Sequence, residues 1–417
     1  MKIKNETIIK YLRYVADTEP PVLHHIWSLV GVMSATLGRR CYYNLGCLQI
    51  FPNQYILLVG DPGVRKSTAM GYAKRFIKNN NRIRIAPDDT GGQRQGLISA
   101  MLGEGMGDDM IDDLLSSSLE GLETADISTP IRPHSDDRHC MFVYASEFAS
   151  FLGQSSYELI VFLTKTWDGE DHNYTLKNSK CVLEKPLINL LGGTTPVAIS
   201  SALPMEVVGQ GFLSRVVLVH ADSTKKVARP QPLNDEVYEE IRKIFDYVSE
   251  NFQGQFTETE EAQKYLDSLY DKEVNITDTR FVYYKTRRHT HLIKLAMAVA
   301  ALRGSQTIIR EDVEDAQTIL SLTEISMPNA LGEFGLSPLG YARQKLLDFI
   351  NKSPEPFTTE QLWYIMQRDM KPSDFAQTMK DFVNDNKIIT WSANDRVYYS
   401  RNDAERNKAK IRLESLI

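Results

Sequence analysis

A short glycine-containing turn between an apolar run and a helix-like stretch constrains this chain more than any other feature. The turn GDPGVRKST spans residues 60–68, follows the apolar run YILLV, and leads into TAMGYAKRFIKN. In a strand–turn–helix unit of this kind, backbone N–H groups and the helix N-terminus surround phosphate groups. The spacing predicts that Lys66 reaches the β- and γ-phosphates of a nucleotide and that Ser67 holds Mg²⁺. We expect phosphate contacts from Gly60, Pro62, Gly63, Arg65, Lys66, Ser67 and Thr68.

One position departs from the usual pattern of such loops. Arg65 stands directly before the lysine, where glycine is usual. A side chain at that position is strained if the residue adopts a positive φ. The alternative for the whole turn is an ordinary surface turn before a helix, with Lys66 present by chance.

Three further apolar runs predict buried strands. They are MFVYA (141–145), PLINLLGG (186–193) and FLSRVVLVHA (212–221). Continuous apolar runs that alternate with helical stretches are typical of an α/β core with a largely parallel sheet. We therefore expect the fold class to be α/β.

An acidic residue follows the run MFVYA. Glu147 is in a position to orient or deprotonate an attacking water, while Ser146 stands where aspartate is usual in such sites. We expect Ser146 to hold Mg²⁺ weakly or through water. The alternative is that Glu147 only caps the helix that follows.

The composition limits the classes of protein to which the chain can belong. Its 417 residues are 42% hydrophobic, with a net charge of −6, which is typical of a folded globular protein and argues against a uniformly basic nucleic-acid binder. Ten acidic residues fall within 104–138, which favours a solvated surface insertion. No signal peptide or membrane-spanning segment is expected. The cysteines form no C-x-x-C pair, which favours a reducing compartment: Cys41, Cys47, Cys140 and Cys181.

With these motifs in order, residues 53–330 resemble hexameric AAA+ helicases of the minichromosome maintenance type. They are more similar still to a family of phage and mobile-element P-loop ATPases, a domain of unknown function that is often fused to primases. The resemblance implies an AAA+ core with a parallel sheet and a helical lid. It also implies ATP and Mg²⁺ as cofactors and a homo-oligomeric, hexameric ring.

The resemblance also implies roles for residues that follow Glu147 in the chain. In LLGGTTP, Thr195 matches the sensor-one residue that contacts the γ-phosphate, with Thr194 as the fallback. In GFLSR, Arg215 matches the arginine finger that reaches the ATP of the neighbouring subunit, where such a residue is worth about 10³–10⁵ in rate. The alternative is an arginine at a helix end that is paired on the surface. In TRRH, one of Arg287 and Arg288 matches the sensor-two arginine of the lid, and we favour Arg287.

A predicted hairpin lies between the apolar runs MFVYA and PLINLLGG. Short alternating segments flank the sequence KNSK at residues 177–180. In the helicase class a hairpin at this point projects into the central channel, where Lys177 and Lys180 would contact DNA phosphates. The alternative is an ordinary solvated turn that contains lysines.

The expected domain division follows these motifs. In chain order it comprises an N-terminal helical collar (1–52), the ATPase core (53–225), a helical lid (226–335), a winged-helix domain (338–400) and a basic tail (401–417). The segment KKVARPQPLND reads as a linker, and residues 256–330 are expected to be wholly helical. The winged-helix expectation rests on three helices followed by a hairpin, with Thr358 or Thr359 as a helix N-cap. Because its third helix is evenly charged, protein docking and a modest DNA contact are both open.

These features together predict an ATP-dependent, ring-forming DNA helicase that acts in the replication of phage or mobile-element DNA in the bacterial cytoplasm. Its expected partners are single-stranded or forked DNA, further copies of the chain, and replication proteins. One alternative is a helicase loader or remodelling ATPase that acts on a protein partner. Another is a nucleotide-binding DNA-assembly protein without turnover, which Arg65 and Ser146 keep open.

Overall fold

A computed structural model describes most of the chain. It covers residues 2–86, 94–102, 139–153, 156–169, 172–176, 179–203, 211–222, 226–229, 232–272, 276, 278–332, 334, 338–393 and 396–403. The chain divides into two compact units, Lys2–Ala330 and Leu331–Ile417. The predicted boundaries at residues 52 and 225 therefore fall inside the first unit. The acidic insertion 104–138 and most of the tail 401–417 lie outside the described residues.

The first unit contains both helices and strands. Its helices are α1 (Glu6–Tyr14), α2 (Val22–Leu37), α3 (Lys66–Lys74), α4 (Arg94–Leu102), α5 (Phe148–Leu152), α6 (Ser156–Thr166), α7 (Pro196–Ala202), α8 (Asp235–Asn251), α9 (Glu260–Tyr270), α10 (Val282–Leu302) and α11 (Arg310–Ser326). Its strands are β1 (Cys41–Leu45), β2 (Leu48–Ile50), β3 (Tyr55–Val59), β4 (Cys140–Ala145), β5 (His172–Leu176), β6 (Ser179–Leu183), β7 (Leu187–Thr194), β8 (Val216–His220), β9 (Gly254–Glu258) and β10 (Thr307–Ile308).

The four predicted apolar runs form one parallel sheet in the order β4-β7-β3-β8. Every residue of β3, β7 and β8 is buried, which explains why these strands are apolar without alternation. A single parallel bridge between Ile85 and Phe142 continues the sheet beyond β4. The expectation of an α/β core with a parallel sheet is confirmed.

Helix α2 lies in the core of this unit. Its residues from Leu23 to Leu37 are all buried, and it packs against α3, α8, β3 and β7. Gly31 permits this approach, because a Cβ there would lie only 3.1 Å from Cδ1 of Ile56. The predicted collar over residues 1–52 therefore needs correction, since α2 covers the sheet and does not form a separate layer.

A second, smaller sheet was not predicted. Its order is β10-β9-β1-β2, with β9 parallel to both β1 and β10. The expectation that residues 256–330 are wholly helical is wrong, because β9 and β10 fall within or overlap this range. The cause is non-local: β9 is short and pairs with β1, so Gly254 lies opposite Cys41. The last residue of the predicted linker KKVARPQPLND, Asp235, is the first residue of α8.

The predicted lid helices and the predicted hairpin are present as backbone elements. In α10 the residues from His291 to Leu302 are buried. Helix α11 begins at Arg310, and Asp312 caps it by accepting from the Ile309 N–H at 3.0 Å. Strands β5 and β6 pair in antiparallel fashion, with Leu176 opposite Ser179.

The second unit contains α12 (Pro338–Lys352), β11 (Phe357–Thr358), α13 (Thr359–Met366), α14 (Pro372–Asn384), β12 (Ile388–Ala393) and β13 (Arg396–Arg401). The three predicted helices and the hairpin are confirmed. Thr358 is the N-cap of α13 and forms a capping box with Gln361. The short strand β11 pairs with β13 and was not predicted.

Among the described residues, no helix combines the length and the apolar character needed to cross a lipid bilayer.

Candidate nucleotide site

The glycine-containing loop lies at the carboxyl end of β3, between the ends of β7 and β8. The Gly60 N–H donates to the Thr194 carbonyl at 3.4 Å, at the end of β7. A Cβ at Gly60 would lie 2.7 Å from the Ala221 carbonyl oxygen, which follows β8. Glycine is therefore required here by close approach. Ligands of open parallel sheets bind at this edge, outside the carboxyl ends of the strands.

Arg65 adopts the positive φ at which a side chain in this position is strained. Its φ is 60° and its ψ is 32°, in the left-handed region. The guanidinium forms an ion pair with Glu19, whose other carboxylate oxygen accepts from the Val227 N–H at 3.2 Å. Glu19 precedes α2, so the segment between α1 and α2 supports the loop.

Lys66 is the first residue of α3 and lies half-buried beside the loop. Its ammonium donates to the carbonyls of Gly60 at 2.8 Å and Asp61 at 3.1 Å. Partial burial lowers the pKa of Lys66, and the negative charge of Glu147, followed by that of Asp61, opposes this shift. Ser67 and Thr68 follow in the first turn of α3 and are exposed.

Glu147 and Ser146 follow the carboxyl end of β4. Gly193 brings this end close to the loop, because a Cβ at Gly193 would lie 2.7 Å from the Ser146 carbonyl oxygen and 3.6 Å from Cβ of Lys66. Glu147 occupies the N-cap position of α5 by its backbone, but its side chain makes no capping hydrogen bond there. This geometry weighs against the alternative that Glu147 serves only as a cap.

Thr194 is the last residue of β7 beside the loop, and Thr195 follows it. Thr194 is buried. The Thr195 hydroxyl accepts from the Ala198 N–H at 3.1 Å, and so caps α7. The hydroxyl retains its own hydrogen for donation. The structure thus brings Thr195 to the same edge of the sheet as Lys66 and Glu147.

Arg215 lies at the opposite edge of the sheet. It precedes β8, whose first residue Val216 pairs with Tyr55, whereas the last residue His220 pairs with Val59 beside the loop. Five strand residues at about 3.3 Å each separate the two edges by roughly 16 Å. Arg215 therefore cannot contact a phosphate held by the loop of its own chain.

Arg287 joins Arg215 at this opposite edge. Both Cζ atoms lie 5.6 Å from the centroid of the Trp167 ring, and the Lys294 ammonium lies 4.1 Å from it. Arg215 Nη2 donates to Asp168 Oδ2 at 2.9 Å. We call these five residues the Trp167 cluster: Trp167, Asp168, Arg215, Arg287 and Lys294.

Burial and like charges shape the electrostatics of the Trp167 cluster. Burial lowers the pKa of Lys294 to about 7, with Asp168 opposing the shift and Arg215 and Arg287 adding to it. The pKa of Arg287 is lowered by burial and then by Arg215, again with Asp168 opposing. The Lys294 ammonium donates to Asn53 Oδ1 at 2.6 Å.

Arg288 has a different environment from Arg287. It is buried and forms a two-pronged ion pair with Glu324, at 2.6 Å and 3.0 Å. Burial raises the pKa of Glu324, while Arg288 and Tyr284 oppose this shift. These contacts join α10 to α11, so Arg288 has a structural partner and Arg287 is the better candidate for a phosphate contact.

The hairpin lysines cannot be placed in the same way. Lys177 lies outside the described residues. The backbone of Lys180 lies in β6 opposite Thr175, but its side chain is not among those described. The predicted DNA contacts of both lysines stay predictions.

Several residues at the two edges were missed by the sequence reasoning. They are Glu19 at the loop and Trp167, Asp168 and Lys294 at the opposite edge. Lys294 reads as part of the apolar stretch LIKLAMAV, and Trp167-Asp168-Gly169 reads as a helix end. No local pattern marks these residues, because Glu19 meets Arg65, and the other three meet Arg215 and Arg287, only in the folded chain.

Comparison with known proteins does not assign the chain to a family. No protein-family model matches the chain, and no curated protein matches it.

Proposed function

We propose that this chain is a Mg²⁺-dependent ATP hydrolase of the AAA+ type, which works as a ring of identical subunits on DNA. One observation carries the proposal. The loop, Lys66 and Glu147 lie at the carboxyl edge of the sheet, while Arg215 and Arg287 lie at its other edge. An ATP between two subunits would meet the first group on one chain and the second group on its neighbour.

The loop fits a nucleoside triphosphate. Among the described residues, no atom outside the neighbouring loop positions lies within 4 Å of a Cβ built on Gly63, which leaves room beside the loop. The N-terminus of α3 and the Lys66 ammonium provide positive charge. When bound, Mg²⁺ and ATP supply the charge neutralisation and the transferable γ-phosphoryl group of the reaction.

The candidate site offers few protein ligands for Mg²⁺. Among the described residues, no three His, Cys, Asp or Glu side chains converge as metal ligands. Mg²⁺ in nucleotide sites takes most of its ligands from phosphates and water, so this finding is compatible with the proposal. Ser67 presents an exposed hydroxyl for the metal, and Ser146 would contact it through water.

Each residue has a distinct task in hydrolysis. Lys66 would exchange its two carbonyl partners for phosphate oxygens. Glu147 would orient the attacking water and accept its proton, and Thr195 would donate its hydroxyl hydrogen toward the γ-phosphate. Arg215 and Arg287 would stabilise negative charge that develops on the neighbour's phosphates.

The proposed DNA contact is the β5–β6 hairpin with Lys177 and Lys180. In a ring, these lysines would form circles of positive charge around the strand, although each chain is acidic overall. The element order of the second unit is helix, strand, two helices and a hairpin, and we propose that it is a winged-helix module for DNA or for a replication protein.

Two features favour the alternative of nucleotide binding without turnover. Arg65 replaces the usual glycine, and Ser146 replaces the usual acid. A loader that acts on a protein partner would share the whole site with a helicase. Unwinding of a forked duplex separates the helicase from the loader.

Steady-state ATP hydrolysis tests the proposal. The wild-type chain should hydrolyse ATP, with specific activity that rises with protein concentration because each site needs two subunits. Lys66→Ala should abolish turnover, while Lys78→Ala, an exposed lysine just after α3, should not. Single-stranded DNA should stimulate the wild type. Absence of wild-type hydrolysis at every protein concentration would support the binding protein without turnover.

A further inference from the structure

We propose that Asp168 is a positioning residue for hydrolysis in the adjacent subunit. Its carboxylate holds the Arg215 guanidinium in the place from which Arg215 contacts the neighbour's nucleotide. This inference rests on the proposed function, in which Arg215 acts across the subunit interface.

The hydrogen bonds of Arg215 fix one side of its guanidinium. Nη2 donates to Asp168 Oδ2 at 2.9 Å, and Nη1 donates to the Gly211 carbonyl at 3.0 Å. An arginine has five N–H groups, two on each Nη atom. One N–H on each Nη therefore takes part in neither of these two hydrogen bonds. The side chain is 12% exposed, so its orientation is set before any partner arrives.

The backbone around Asp168 is itself held in place. The Trp167 carbonyl accepts from Asn53 Nδ2 at 3.0 Å, and the Gly169 carbonyl accepts from Arg39 Nη1 at 2.8 Å. Asp168 lies between these two anchored residues. A carboxylate on such a support can place a guanidinium accurately, which a carboxylate on a free surface side chain cannot.

The Asp168 carboxylate also balances the positive charge of three neighbouring side chains. Arg215, Arg287 and Lys294 all approach one Trp167 ring, and Trp167 is itself buried. Among the described groups, Asp168 is the carboxylate that acts electrostatically on both Arg287 and Lys294. Without it, mutual repulsion would move the flexible arginines apart. A misplaced catalytic group can cost on the order of 10²-fold in rate.

Mixing of subunits tests whether Asp168 acts across the interface. Rings of Asp168→Asn alone should lose turnover by roughly 10- to 100-fold, with a smaller change in the half-saturating ATP concentration, because the loop is intact. Mixed with Lys66→Ala subunits, which are inactive alone, they should recover turnover. At the mixed interface, the Asp168→Asn chain supplies the intact loop and the Lys66→Ala chain supplies the intact Asp168–Arg215 pair.

Two further variants serve as controls. Asp246→Asn removes a carboxylate as exposed as that of Asp168, which pairs with Arg242 on α8 at 2.6 Å, and should leave turnover unchanged. A chain with both Asp168→Asn and Lys66→Ala should not recover activity when mixed with Lys66→Ala. If Asp168→Asn does not fold, Asp168→Ala is tested in the same mixture.

The outcomes separate this inference from the proposed function. Wild-type turnover that Lys66→Ala abolishes but Asp168→Asn leaves unchanged would overturn the inference alone. Loss of turnover that mixing does not restore would make Asp168 a structural residue of its own chain, and would also overturn it. Failure of the wild type to hydrolyse ATP would reject the proposed function first.

Discussion

Arg65 has a backbone conformation that glycine adopts at little cost and other residues adopt at a cost of about 1–2 kcal/mol. The conformation persists because the loop fixes the chain on both sides and Glu19 holds the guanidinium. At the scale of single residues, the loop pattern identified Arg65 as the position at which a positive φ would cause strain. It could not reveal Glu19, since nothing in the local pattern connects that residue to the loop.

Removing this strain in Arg65→Gly should stabilise the protein by about 1 kcal/mol. The loss of the exposed ion pair with Glu19 should offset part of this gain. Urea unfolding measures this change. Lys185→Gly, at another position with a positive φ of 49°, is the matched control and should also stabilise. Only the change at Arg65 should alter nucleotide affinity. A loss of stability for Arg65→Gly would show that the Glu19 pair outweighs the strain.

The lowered pKa of Lys294 predicts that the free energy of unfolding depends on pH. Its pKa in the folded chain is about 7, below the ordinary 10.5. Between these two pH values, Lys294 carries a proton in the unfolded chain and lacks it in the folded chain. The free energy of unfolding should therefore rise with pH, by up to about 1.4 kcal/mol per pH unit. Measured between pH 7 and about 9, below the range in which tyrosine ionises, this rise should be smaller in Lys294→Met. Lys264→Met, on the surface of α9, should retain the wild-type slope; equal slopes in all three proteins would reject the assignment.

At the scale of elements, the four buried strands and most helices were predictable because each carries its own apolar pattern. The pairing of β9 with β1 was not, because its two partners lie far apart in the chain and both are short. The central position of α2 was missed for a related reason. Its continuous burial reflects contact with elements on several sides, which a hydrophobic run alone does not distinguish from burial within a separate collar.

The neighbouring arginines of α10 should behave in opposite ways. Arg288→Ala leaves Glu324 buried without its charged partner and should cost about 3–5 kcal/mol of stability. Arg287→Ala should change stability far less, but it should reduce ATP turnover in the assembled protein. Thermal unfolding and ATPase rates on the same two variants provide the comparison. Unchanged turnover for Arg287→Ala would remove this residue from the proposed site.

At the scale of the whole molecule, the first unit presents two chemically different edges of one parallel sheet. One edge carries the loop, Lys66 and Glu147, and the other carries the Trp167 cluster. The order of motifs along the chain predicted a loop and an acidic residue that each follow a buried strand of this sheet. That Arg215 and Arg287 converge on one aromatic ring was not predictable, because Trp167, Arg215 and Arg287 come from three separate segments.

The central claim is that one active site is built from two copies of this chain. Its most direct test is ATP hydrolysis by co-assembled Lys66→Ala and Arg215→Ala subunits, with each variant alone as the control. We predict that neither variant hydrolyses ATP alone, that Arg215→Ala still binds nucleotide, and that the mixture recovers turnover at interfaces with an intact loop on one side and an intact arginine on the other. Wild-type turnover by Arg215→Ala alone, or no recovery in a mixture shown to co-assemble, would contradict the account.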